Sequence, residues 1–215
     1  MQSKSLAEKA YQEIRKKIIT GKHLPGDVLS ENGLSKELEM SRTPIRDALL
    51  RLDSEGFIVT LKNRGILVKE LSYKELFEIN ELNNCMSSFA IDLVNEGNST
   101  FNLEKLQLHL ENQLNAEEHD NYYEYVQQTI LFGRTIIEAT NNHVMLQTYD
   151  SFRDKTLRIA MVNWKLRPNE KHYSANEINS KIFEAIVAKK YEHAKTVIKE
   201  YHAYNLKRFI TRGII

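Results

Sequence analysis

Arg42, Thr43 and Arg46 open one helix-forming stretch, and Lys62, Asn63, Arg64 and Gly65 form the tip of a hairpin-forming one. Guanidinium groups at the start of a helix suit phosphate oxygens and the outer edge of guanine, and a hydroxyl beside them suits phosphate. A basic hairpin tip suits a groove of a duplex. No catalytic constellation accompanies them: the chain shows no phosphate-binding glycine loop, no nucleophile with an arranged base, no paired carboxylates and no ligand set with metal spacing. The chemistry available is recognition of a polyanion, with an ordinary solvated helix face as the plain alternative.

The elements around these residues are legible. Ser41 stands as an N-cap, Pro44 falls in the first turn, and Ile45, Ala48, Leu49 and Leu52 recur at helical spacing on an inward face. Gly56 stops that helix, and residues 57–60 and 66–69 read as two strands. Upstream, Ser5 and Glu8 have capping-box spacing, Tyr11, Ile14 and Ile18 form a stripe, and Gly21 ends a first helix. Leu24-Pro25-Gly26 is a turn, and a second helix is predicted from Glu31 to Glu39 with Leu34 and Leu38 inward. Three helices and a hairpin in residues 1–71 outline a winged helix-turn-helix. Arg51 lies further along the third helix, where pairing with Asp47 or Glu55 competes with any contact to a ligand.

Charge is unevenly placed. The 215 residues carry a formal net charge of +1, but residues 1–70 hold 13 Lys and Arg against 10 Asp and Glu, leaving 17 against 19 in the rest. The basic half is the half with the winged-helix pattern, and the excess is small enough that two copies should bind together. The N-terminus is a charged amphipathic helix rather than a secretory signal, apolar runs are short, and there is one cysteine, so a cytoplasmic protein with no membrane partner is expected.

From Ser72 to Ile215 the pattern is almost wholly helical. Helices are predicted near 72–96, 102–117, 122–139, 143–163, 175–188 and 191–211, with Ser72/Glu75 and Ser174/Glu177 as further capping boxes. Six antiparallel helices make a bundle, so the expected fold class is mainly α: a winged helix-turn-helix over 1–71 and an all-α antiparallel bundle over 72–215. Cys85, among Ile79, Leu82, Met86 and Phe89, reads as a small core residue. His23, His109, His119, His143, His172 and His193 show no ligand spacing and read as surface or capping residues.

In order and spacing, Pro25-Gly26, Leu29-Ser30-Glu31, the run Ser41 to Leu49, Leu52, Glu55-Gly56 and Arg64-Gly65 resemble the N-terminal domain of the GntR superfamily of bacterial transcription regulators. The resemblance implies a dimeric regulator on an operator of two-fold symmetry. Arg42 and Arg46 would contact bases or phosphates, Thr43 a phosphate, and the wing of Lys62, Asn63, Arg64 and Gly65 the minor groove. Many relatives carry a basic residue where this chain has Asn32. Phe132, Glu138-Ala139, Asn142, residues 182–186, Ala194 and His202 resemble the FadR-like C-terminal domain in its six-helix, VanR-type form, which implies effector binding and dimerisation.

That second resemblance carries a departure. Many relatives hold a divalent metal with an aspartate and a histidine one helical turn apart and histidines on the last two helices; the matching positions here are Thr129, Gly133, Asn179 and His202. Three of the four are not strong ligands, so no metal cofactor is expected. The space beside Gly133 is instead expected to hold an organic metabolite, with Thr129, Asn179 and His202 as hydrogen-bonding partners. Asn80 stands where relatives often carry an arginine, and Arg153 and Arg158 are candidates to replace it. The functional expectation is a metabolite-responsive repressor acting as a homodimer on double-stranded DNA. The alternatives are a constitutive dimeric DNA binder, its polar bundle residues satisfying one another, and an enzyme built on a helical bundle.

Overall fold

The computed structural model describes residues 5–61, 65–170 and 172–211, apart from the side chains of 205 and 208–211. Lys62, Asn63 and Arg64 of the expected wing tip lie outside the described residues. The chain divides into two compact units, residues 1–71 grouped with 161–165, and residues 72–160 with 166–215.

The first unit holds α1 (Leu6–Ile19), α2 (Glu31–Glu37) and α3 (Arg42–Ser54). α1 starts where the Ser5 hydroxyl accepts the Glu8 N–H at 3.1 Å. Its buried Ala10, Tyr11, Ile14 and Ile18 lie on the side that packs against α3, which buries Ile45, Ala48, Leu49 and Leu52. α2 is capped by Ser30, whose hydroxyl accepts the Gly33 N–H at 3.0 Å, and ends two residues short of expectation because Glu39 turns to φ 54°. Ser41 has the extended backbone of an N-cap, but its side chain makes no capping bond.

The sheet has three strands, β1 (Val28–Leu29), β2 (Ile58–Leu61) and β3 (Gly65–Val68), in the order β1-β3-β2 and antiparallel throughout. The hairpin register pairs Ile58 with Val68 and Leu61 with Gly65, while Val28 pairs with Leu67 and Leu29 with Ile66. β1 was not expected from the sequence. Its close approach explains Gly65, which sits at φ 93° and whose absent Cβ would lie 3.0 Å from Val28 Cγ1 and 3.1 Å from the Leu29 carbonyl.

Beyond residue 71 the described residues form seven helices: α4 (Tyr73–Asn95), α5 (Leu103–Glu118), α6 (Tyr122–Glu138), α7 (His143–Ser151), α8 (Arg153–Leu166), α9 (Ala175–Val187) and α10 (Tyr191–Thr211), all in the second unit except the 161–165 stretch of α8, which is grouped with the first. The fold class is as expected, but the predicted helix over 143–163 is two helices. The Ser151 hydroxyl donates to the Thr148 carbonyl at 2.6 Å, the group a continuous helix would offer to the Phe152 N–H, and that N–H turns back to Tyr149 O at 3.2 Å. Ala90, Ile91, Leu106, Phe132, Ile136, Ile182 and Ala194 belong to the apolar core of the bundle.

Two local expectations are corrected. Ser174 does not cap α9; the Tyr125 hydroxyl accepts the Ala175 N–H at 2.8 Å in its place. Cys85 is exposed, not core, because α4 turns Ile79, Met86 and Ala90 inward and leaves Leu82, Cys85 and Phe89 on an outer face.

Candidate nucleic-acid interface and bundle cavity

The N-terminal end of α3 presents Arg42, Thr43 and Arg46, all exposed, over a buried row of Pro44, Ile45, Ala48 and Leu49. Pro44 has no N–H to leave unpaired in that first turn, and with the Ser41 hydroxyl uncommitted, the first-turn amides of Arg42 and Thr43 have no side-chain cap. The side chains of Arg42 and Thr43 make no hydrogen bond or ion pair among the described residues.

Arg46 is held. Its Nε and Nη2 donate to the two Glu31 carboxylate oxygens at 3.1 and 3.0 Å, a bidentate pair between the starts of α3 and α2. That hydrogen-bonded guanidinium, with Arg42 adding to it, keeps the Glu31 carboxyl below its ordinary range. Arg51 is held more completely: it donates to Glu55 and Glu8, both at 3.0 Å, and lies 3.6 Å over the Tyr11 ring, whose hydroxyl donates to Glu55 at 2.7 Å. Arg51 therefore ties α1 to α3, with Glu55 rather than Asp47 as its partner on the helix. Gly65 closes the wing strands at the Leu61 pair.

The bundle carries a half-open cavity of about 270 Å³ between α4, α6, α7, α9 and α10. Asn80, Thr129, Gly133, Asn179 and His202 all line it, joined by Asn83, Asn84, Ser87, Tyr149 and Tyr201, on walls that include Phe77, Phe132 and Ile182. Thr129 donates to the Tyr125 carbonyl at 2.9 Å. Asn179 donates to Gln113 at 2.8 Å, and Gln113 to Asn176 at 2.6 Å, so a buried amide chain anchors the cavity's α9 wall to α5. The His202 ring lies against Phe77 with centroids 4.6 Å apart, and its Nε2 is 3.9 Å from Glu81.

Gly133 does not leave open space. A Cβ there would sit 2.5 Å from the Tyr149 hydroxyl, which occupies the gap and donates to the Ile130 carbonyl at 2.9 Å. The glycine is required by a tyrosine on the neighbouring helix, and the free volume lies beside that ring. Arg153 and Arg158 do not line the cavity. Tyr149 and Arg153 would share a face of one continuous helix, but the break at Phe152 ends that face; Arg153 is exposed and donates to Gln127, and Arg158 is buried elsewhere.

Sequence reasoning missed Asn83 and Tyr149. Asn83 lies one residue from Asn84 and three from Asn80 on α4, a density of amides on one helix that would have been a signal. His109 is also buried rather than superficial, its Nδ1 2.7 Å from Gln128 Oε1. Among the described residues, no three His, Cys, Asp or Glu side chains gather as a metal would require.

Residues 6–68 match the family described as bacterial regulatory proteins, gntR family, and residues 88–203 match the FCD domain. The chain is similar to the gluconate operon transcriptional repressors of Bacillus licheniformis and Bacillus subtilis, 30% and 26% identical over 160 residues, or 74% of this chain; it spans 65% of their length. It shares its fold with E. coli McbR (TM-score 0.68, 23% identity, covering 98% of this chain and 99% of that one). The same holds for a GntR protein from a Rhodococcus species (TM-score 0.73, 18% identity, 95% and 97% covered). Winged helix, bundle and family matches agree: this chain belongs to the gntR family of bacterial regulatory proteins, with an FCD domain behind its winged helix.

Proposed function

We propose that this protein is a DNA-binding transcription regulator, a metabolite-responsive repressor that binds a palindromic operator as a homodimer in the cytoplasm, and not an enzyme. The observation that carries the reading is the start of α3, where Arg42, Thr43 and Arg46 stand exposed around a helix N-terminus whose side-chain cap is not made. An uncapped first turn and two guanidinium groups suit phosphates and base edges together. The Gly65 end of the hairpin, with Lys62, Asn63 and Arg64 just before it in sequence, serves as the wing. No helix among the described residues is long and apolar enough to cross a membrane.

The effector reading rests on the cavity. Asn80, Thr129, Asn179 and His202 supply its polar wall, and on this reading no divalent metal takes part, since Thr129, Gly133 and Asn179 stand where the family resemblance implies ligands. Two relatives are named for the gluconate operon, which makes gluconate one molecule to test. A constitutive binder is the second reading, favoured by the protein partners already taken by Thr129 and Asn179.

Selection of genomic fragments by the purified protein tests the proposal. Recovery of a short sequence with two-fold symmetry, bound with steep salt dependence, is the expected result. Uniform, sequence-blind retention would contradict it.

A further inference from the structure

Four side chains of the bundle form a chain of hydrogen bonds that runs from its surface to its cavity. Glu117, exposed near the end of α5, accepts from Asn176 Nδ2 on α9. Asn176 Oδ1 accepts from Gln113 Nε2 at 2.6 Å, and Gln113 Oε1 accepts from Asn179 Nδ2 at 2.8 Å. Gln113 is fully buried, and Asn176 and Asn179 nearly so. Apolar side chains would join α5 to α9 at lower cost, since every buried amide must find partners.

The chain has a direction, and Glu117 sets it. A carboxylate only accepts, so Asn176 must turn its NH2 to Glu117 and its carbonyl to Gln113. Gln113 meets that carbonyl with its own NH2 and turns its oxygen to Asn179, which must then donate. Reversing any one amide would set two oxygens or two NH2 groups face to face in a dry interior. The free end of the chain is Asn179 Oδ1. That oxygen takes no hydrogen bond among the described residues, and it is not one of their fully buried polar atoms lacking a partner. Since Asn179 lines the cavity, its remaining surface faces an occupant.

We infer that Glu117, an exposed residue outside the cavity, is a specificity-determining residue: through Asn176 and Gln113 it holds the Asn179 carbonyl toward the cavity, and the effector must bring an O–H or N–H to that point. This rests on reading the cavity as the effector site. Gln113 and Asn176 are positioning residues, and like Glu117 they do not line the cavity. Ser87, Tyr201, Asn80 and Asn84 on the same wall take no part in the chain and serve other parts of the occupant. Glu117→Lys replaces a group that only accepts by one that only donates, so it reverses every link and turns the Asn179 NH2 to the cavity.

Glu117→Lys in the full-length protein tests this through two measurements. Without ligand, Asn179→Asp sets a carboxylate against Gln113 Oε1 and should lower the wild-type melting temperature by about 3 °C or more. In Glu117→Lys, where Gln113 offers an N–H instead, the same change should cost about half as much. Asn176→Ala cuts the chain and should remove that coupling, whereas a through-space attraction of the two charges would survive it. With ligand, the probes are phenol and pyridine N-oxide, which share one shape; the first donates a hydrogen and the second only accepts. In NMR titrations up to about 20 mM, the ratio of phenol to N-oxide affinity should fall about tenfold from wild type to Glu117→Lys. The change in that ratio reports Asn179, because the other groups on the wall are the same in both proteins. Additive melting temperatures, or coupling that survives Asn176→Ala, would overturn the relay and the specificity role with it, whatever binds. Coupling with both probes bound at an unchanged ratio would overturn the specificity role and keep the cavity as a binding site. Coupling with neither probe bound would overturn the effector reading and the specificity role that rests on it, while fragment retention tests the regulator separately.

Discussion

Glu31 and Arg46 form a bidentate ion pair, Nε to Oε1 at 3.1 Å and Nη2 to Oε2 at 3.0 Å, that holds the one partnered arginine at the start of α3 in a fixed orientation. Such a pair on the surface adds little stability, so a phosphate or base edge could displace it. On the proposed reading its geometric effect is larger, because the planar fork is aimed in advance while the carboxylate would repel phosphates. Glu31→Gln should therefore raise non-specific DNA affinity by about 2- to 10-fold and narrow the ratio of specific to non-specific binding. Titrations at several salt concentrations measure both, and equal shifts on operator and random DNA would refute the orienting role.

Gly133 and Tyr149 are expected to be energetically coupled. Gly133→Ala places a Cβ 2.5 Å from the Tyr149 hydroxyl and displaces it from the Ile130 carbonyl. The loss of that buried bond costs about 1–3 kcal/mol, against a helix-propensity gain of about 1 kcal/mol. The single variant should melt several degrees lower, and adding Tyr149→Phe should restore it above Tyr149→Phe alone. Simple additivity in a double-mutant cycle would show that the hydroxyl relocates without strain.

His23 should give the N-terminal unit a pH-dependent stability. Burial lowers its imidazole below the ordinary 6.5, against the pull of Glu37 and Asp27, and its Nε2 is buried with no partner. A base with a depressed folded pKa contributes stability that is complete above about 6.5 and is lost as the pH falls through the folded value, because the unfolded chain takes the proton first. Between about pH 7 and 5 the wild-type melting temperature should fall more steeply than that of His23→Gln. Parallel profiles would remove His23 as the cause.

Metal removal should change nothing. With Thr129, Gly133 and Asn179 at the positions that relatives use for ligands, chelator treatment should leave melting temperature and operator affinity as they were. Stoichiometric metal lost on His202→Ala would contradict this.

The winged helix was legible because its elements carry their own signals: Ser5 as a cap, Gly21 and Gly56 as stops, and an apolar stripe on α3. β1 was not, since two residues cannot show a period. The break at Phe152 depends on whether the Ser151 hydroxyl turns onto the Thr148 carbonyl, a rotamer choice invisible in composition. Cys85 lies one residue from the inward Met86, and periodicity over so long a helix does not fix which neighbour faces in. Gly133 looks the same in sequence whether it makes room for a ligand or for Tyr149. Five positions of the expected pocket line one cavity, yet their convergence from α4, α6, α9 and α10 follows from helix packing that no local sequence signal carries.

The most direct test of the central claim is operator affinity of Arg46→Ala against wild type, measured on a selected fragment and on random DNA with the fold confirmed by circular dichroism. Loss of a base-reading arginine should weaken operator binding by about 1–3 kcal/mol, roughly 5- to 150-fold, and weaken binding to random DNA much less. Unchanged operator affinity in a folded Arg46→Ala would contradict the assignment of α3 as the reading helix.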